Sequence, residues 1–159
     1  MSIFVNSTKA PMARTKDSEK VAIFYAVILV AMAVAQLFTF DEFLIYIQTL
    51  ELPFGEGFVY LLGPLLVISE VFAVPFLLRM WLSPAFRAVS MFFGWLAAAL
   101  WVFIAFWLAS THSAVSTVGY LGTVVDLAPG WWSVFISLLF TVLAAWSSWG
   151  LWPGKRTAK

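Results

Sequence analysis

Residues 58–78 read FVYLLGPLLVISEVFAVPFLL, an apolar run interrupted by a single charged side chain, Glu70. A helix needs about 20 residues to cross a bilayer's hydrocarbon core, so the stretch has the length and composition of a membrane span. Three more runs qualify: 21–40, 88–109 and 131–152. Across all 159 residues, 63% are apolar and only 11% are charged, where a soluble domain carries about a quarter charged. The expected fold is an all-α membrane protein, a four-transmembrane-helix up-down bundle.

The charges fix an orientation. Lys9, Arg14, Lys16 and Lys20 precede the first span, Arg79 and Arg87 bracket the second connection, and Lys155, Arg156 and Lys159 follow the fourth. With four spans these all fall on one side, which the positive-inside rule makes cytoplasmic. Asp41, Glu42, Glu51, Glu56 and Asp126 fall on the other. The expected organisation is a basic, mobile cytoplasmic tail over 1–20, a transmembrane domain over 21–152 and a second basic cytoplasmic tail over 153–159, in a plasma or inner membrane. The leader and the Ala31-Met32-Ala33-Val34-Ala35 pattern share features with a signal peptide, but the leader is long and the apolar run continues to Phe40. Trp81, Trp149 and Trp152 at one boundary, and Trp107, Trp131 and Trp132 at the other, suit headgroup-level anchors.

Each span carries a stripe of small residues at helical spacing: Ala22, Ala26, Ala33 and Gln36; Gly63, Glu70 and Ala73; Ser90, Gly94 and Ala98; Ser133, Ser137, Thr141 and Ala145. Lipid gives helices no hydrophobic reason to associate, so close approach at small residues supplies packing, and these faces are expected to point inward. Asp41 to Leu52 holds no helix breaker before Pro53, so the first helix is expected to run on above the membrane or to lie along it. Pro64 and Pro75 each leave a carbonyl without its helical donor and are expected to kink the second span.

An acidic residue at a helix centre costs about 2.5–3.5 kcal/mol on insertion scales and is commonly functional. No lysine or arginine lies in a span, so Glu70 must be compensated by a proton, by hydrogen bonds or by both. Depth counted inward from the outer boundary brings it near Ile28, Ala97 to Ala99 and Leu143 to Trp146. The candidate ligand or proton site is therefore Glu70 with Tyr25, Trp95 and Trp146, apolar with a few polar groups as a quinone or lipid pocket would be. A shallower candidate lies in the last outer loop, at Gly119, Tyr120, Gly122 and Asp126. His112 is expected to be a solvated loop residue, no metal is expected, and no nucleotide loop, HExxH or nucleophile elbow marks an enzyme.

The first span leading into DEFLIYIQTLELP (41–53), the second span with its central Ser69-Glu70 ending at Arg79, and the Ala-rich third span together resemble the DoxX/MauE group of small four-helix membrane proteins. The resemblance covers 21–152. In the MauE branch the last outer loop often carries Cys-Gly-Cys-Phe-Gly; the comparable Val118-Gly119-Tyr120-Leu121-Gly122 keeps the glycines and has neither cysteine, so this chain cannot itself cycle a disulfide. The resemblance implies an accessory role beside a redox or envelope-maturation partner, with quinone contact in the DoxD-like branch. The expected partners are membrane lipid and another membrane or exported protein, with no nucleic acid. A proton-coupled small transporter using Glu70 and a purely structural subunit of a larger complex are the alternatives. The first of these looks like small multidrug resistance proteins, which carry their Glu in the first helix instead.

Overall fold

The computed structural model describes residues 8–50, 52–53, 55–111 and 115–152. His112, Glu51, the tail 153–159 and the side chain of Glu56 lie outside the described residues.

Thr15 and Ser18 start the first helix by reciprocal capping. The Thr15 hydroxyl accepts the Ser18 N–H at 3.1 Å, and the Ser18 hydroxyl accepts the Thr15 N–H at 3.3 Å. Helix α1 therefore spans Lys16–Phe38, beginning before the apolar run does, with Asp17 and Glu19 complementing the positive end of its dipole. Thr39 interrupts it, and a separate α2 (Phe40–Gln48) follows. Of the two courses expected for 41–52, the first is thereby corrected, since α1 does not run on as one helix: α2 folds onto the bundle, burying Phe43 and Ile47 and leaving Ile45 exposed. Helix α3 (Gly55–Leu77), α4 (Pro84–Thr111) and α5 (Trp131–Leu151) complete the chain. The fold is all-helical, and α1, α3, α4 and α5 are long and apolar enough to cross a membrane. Each packs on the next, and α5 closes on α1. Both described termini meet at one end, where the Arg14 N–H donates to the Gly150 carbonyl at 2.9 Å. That is here the terminal end; α2 and residues 115–130 form the loop end.

The small stripes of α1, α3 and α4 face inward, with Ala22, Ala26, Ala33, Ala73, Ser90 and Ala98 all buried. Large apolar side chains such as Val27, Leu61, Phe92 and Phe135 are exposed on the outside. On α5 the expectation needs correcting. Ser133 and Ser137 are buried, but the inward row then continues through Phe140, Ala144, Ser147 and Leu151, while Thr141 and Ala145 are only half-buried.

Pro75 lies inside α3, and Ser90 of α4 repairs the ladder beside it. The Ser90 hydroxyl donates to the Phe72 carbonyl at 2.6 Å and accepts the Phe76 N–H at 3.0 Å, splicing itself into one turn of the neighbouring helix. After Leu77 the chain reverses through Arg79, whose φ of 56° is the left-handed conformation of a helix C-cap. Its guanidinium holds Glu19 at 2.7 Å and the Pro11 carbonyl at 3.1 Å. Arg87 bonds the Thr8 carbonyl at 3.1 Å, and Thr8 pairs with Leu82. Residues 8–15 are thus a strap across the terminal end, which corrects the expectation of a mobile tail over that part. The cause is two arginines whose forks find backbone carbonyls.

Candidate functional site

Glu70 is fully buried, and one of its oxygens carries the compensation that an intramembrane carboxyl requires. Oε1 accepts the indole N–H of Trp101 (α4) at 2.8 Å and the amide N–H of Gln36 (α1) at 3.2 Å. The Gln36 amide donates a second time, to the Tyr120 carbonyl in the loop at 3.1 Å. The Tyr120 ring lies 4.7 Å from that of Trp101, centroid to centroid. Its hydroxyl reaches α5, at 2.7 Å from the Ser133 carbonyl and 2.6 Å from the Ser137 hydroxyl. Ser137 in turn donates to the Trp101 carbonyl at 3.1 Å. One connected network therefore joins all four spans and the loop. Glu70 Oε2 and Gln36 Oε1 are both buried and have no partner among the described residues.

The loop is fitted to this node by two glycines in the left-handed region, Gly119 at φ 85° and Gly122 at φ 59°. A Cβ on Gly119 would strike the Tyr46 ring, and one on Gly122 would lie 3.2 Å from the Gln36 Cα. From α2, the Tyr46 hydroxyl donates to the Thr117 carbonyl, and Glu42 accepts from the Thr123 hydroxyl at 2.9 Å. These contacts set the Tyr120 carbonyl over Gln36.

Of the residues chosen from sequence, the structure puts Glu70 and Tyr120 in the network and the other aromatics elsewhere. The Tyr25 hydroxyl donates to the Gly94 carbonyl at 2.9 Å, tying α1 to α4. Trp95 donates to the Ser148 hydroxyl at 2.9 Å on the outer surface, and Trp146 is exposed. Asp126 is exposed as well, so the loop candidates do not converge on one shallow pocket. Gln36, Trp101 and Ser137 were missed as a group. Their signal was present, since each is a polar atom inside an otherwise apolar span and needs a partner there.

Burial pushes the Tyr120 phenol up to about 12, against a smaller lowering by Ser137, and burial likewise raises Tyr46. An unfolded tyrosine releases its proton near pH 10. Between that value and the raised ones the native state holds more protons, so these groups stabilise the fold fully below about pH 10 and lose that contribution as pH climbs through about 12. The thermal midpoint should hold flat to the edge of this window and then fall, and the tyrosinate absorbance that belongs to Tyr46 and Tyr120, as distinct from the exposed Tyr60, should appear only as the fold is lost. A Tyr46→Phe, Tyr120→Phe double variant should show a shallower fall; an unchanged slope would contradict the assignment.

Fold and node together define a small helical bundle, with four helices long and apolar enough to cross a membrane, organised around the buried carboxyl of Glu70. No family model, curated protein or solved structure matches the chain.

Proposed function

We propose that the chain is a non-catalytic accessory subunit of the DoxX/MauE-like kind, working in the membrane beside a redox or envelope-maturation partner. The observation that carries this is the double donation by Gln36, to Glu70 and to the Tyr120 carbonyl. The carboxyl's energy goes into holding the loop end in one shape, and that end then offers Ile45, Val124 and Val125, all exposed, as a firm surface for another protein. Both termini are assigned to the cytoplasm, because the basic side chains gather at their end. A quinone or lipid contact, which the resemblance implies, stays part of this proposal, and the full enclosure of Glu70 argues for the membrane-facing surface over the Glu70 node as its place.

Proton-coupled transport has one observation in its favour, the pair of buried oxygens on Glu70 and Gln36 that have no partner among the described residues, which a proton or small cation would satisfy. The chain contains no cysteine, so a single introduced thiol is a clean handle. A membrane-impermeant thiol-to-amine crosslinker added to intact cells should join Val124→Cys to one defined protein and leave Thr8→Cys unmodified until the cells are opened. Modification of Thr8→Cys in intact cells would reverse the orientation. Absence of any adduct at Val124→Cys, together with proteoliposomes of the purified chain that dissipate a pH gradient unless Glu70 is changed to Gln, would replace the accessory role with transport.

A further inference from the structure

Beneath the strap lies a small cavity of about 10 Å³, lined by Ala10 and Pro11 of the strap itself, by Pro75 and Phe76 of α3 with Arg79 just after it, and by Arg87 in the first turn of α4. That volume has room for about one water-sized occupant. Two arginines are thus among its walls, and none of its described lining residues is an aspartate or a glutamate. The charges around it do not balance. Arg79 has a carboxylate, Glu19 at 2.7 Å. Arg87 bonds neutral oxygens, the Thr8 carbonyl at 3.1 Å and the Thr8 hydroxyl and Leu82 carbonyl at 3.4 Å each, and among the described residues it has no ion pair. Asp17, the other acid at this end, is spent on Lys20 at 4.0 Å, and neither 1–7 nor 153–159 contains an aspartate or glutamate.

The hydrogen bonds are out of balance in the same sense. Arg79 Nε is buried with no partner among the described residues, so a charged donor is left over. Leaving such a donor unmet costs more than leaving a neutral one. The acceptors of neighbouring lining residues are already engaged: the Pro11 carbonyl takes the Arg79 guanidinium at 3.1 Å, the Pro75 and Phe76 carbonyls take the N–H groups of Met80 and Arg79 at 3.0 and 3.1 Å, and the Leu82 carbonyl takes the Thr8 N–H at 3.1 Å. A water molecule would accept from Arg79 but would bring two protons of its own to a place whose acceptors are taken. A halide ion accepts from every side, brings no proton and supplies the missing negative charge. Phosphate, sulfate and carboxylate groups are several atoms across and exceed a one-water space.

We infer that the cavity under the strap is a binding site for one small monovalent anion of the size of chloride, held by Arg79 and Arg87. Bound there, the anion ties the strap to α3 and α4 from within. The site is independent of any accessory or transport role.

The test is a thermal titration of the purified chain in mild nonionic detergent, with sodium chloride replacing sodium gluconate at constant ionic strength so that general screening does not change. Chloride should raise the midpoint saturably, by about 3 °C at ten times its dissociation constant, and the NMR line of chloride should broaden in the protein's presence and sharpen again when bromide is added. Inorganic phosphate, and phosphatidylglycerol in mixed micelles, should give no such rise. Ala10→Leu fills the cavity from the strap without touching a charge and should abolish both responses, and Arg87→Gln should abolish them by removing the unpaired cation. If either variant is too unstable to titrate, the broadened line and its reversal by bromide still read the site in the unsubstituted chain. Equal midpoints in chloride and gluconate with no broadening, or a chloride response that survives in both variants, would overturn the proposal. So would a rise with phosphate or phosphatidylglycerol in place of chloride, because it would assign the two arginines to a phosphate group, free in the first case and on a lipid in the second.

Discussion

Glu70→Ala should destabilise the bundle by about 3–5 kcal/mol, while Glu70→Gln should stay within about 1 kcal/mol of the unsubstituted protein. Alanine removes the acceptor of the Trp101 indole, leaving that N–H buried with nothing to bond, at a cost of about 1–3 kcal/mol. It also takes one of the two acceptors of the Gln36 amide, which keeps only the Tyr120 carbonyl. The void left by the carboxyl adds a further ~1–2 kcal/mol, since helices packed through Ala73 and Ala98 have little freedom to collapse into it. Glutamine keeps the shape, keeps an acceptor oxygen for both donors and exchanges Oε2, which has no partner among the described residues, for a donor. Unfolding by sodium dodecyl sulfate in mixed micelles, followed by helicity, separates the two variants. If alanine were tolerated as well as glutamine, Glu70 would not be the node of the fold. If glutamine were as damaging as alanine, the negative charge rather than the acceptor geometry would be what Gln36 and Trp101 require.

Much of this architecture was legible in the chain. The four spans follow from apolar runs too long for any soluble helix of this composition, and Ala22, Ala26, Ala33 and Ser90 lie inward because small residues allow backbones to approach. Glu70 was legible too, as the one charge with no place in lipid. Its neighbours were not, for a geometric reason. Depth counted from Phe58 takes α3 to cross straight from the membrane edge, but α3 begins at Gly55 and its first turns stand beside α2, where Gly63 lies against Leu44 and Phe43. Glu70 therefore meets Gln36 instead of Ile28, a displacement of eight residues along α1, or about 12 Å of helix. That shift carries it away from Trp95 and Trp146 and towards Trp101 and the loop. The break at Thr39 that lets α2 fold back is equally quiet in sequence, with neither Gly nor Pro to mark it. Tyr120 was chosen as part of a shallow outer site, yet its ring reaches the core. A loop residue's depth depends on how its backbone is anchored, here by Tyr46 and Glu42 from an element 70 or more residues earlier.

Gly150→Val should cost about 2–4 kcal/mol, and Gly150→Ala a smaller but definite amount. Alanine is the better helix former by up to ~1 kcal/mol, so intrinsic propensity works against any loss, and a measured loss must come from packing. The obstacle is Ser18. A Cβ on Gly150 would overlap the Ser18 side chain, with the Ser18 Cα only 3.5 Å away. Ser18 cannot step aside, because it is fully buried and locked in the capping box with Thr15, and the Gly150 carbonyl is itself held by the Arg14 N–H. Making room means moving the start of α1 away from α5, which loosens the cap and the strap together. Gly63 is the control: a Cβ there meets the far end of the Leu44 side chain, a group that can turn to another rotamer, so Gly63→Ala should be nearly neutral. The discriminating variant is Ser18→Gly combined with Gly150→Ala. Removing the Ser18 Cβ vacates the space that the new methyl needs, so the double variant should be more stable than the sum of the two single changes implies, by about 1 kcal/mol or more of coupling. Strict additivity in that cycle would mean that α1 and α5 are not in van der Waals contact at this crossing, and the terminal end of the bundle would have to be drawn differently.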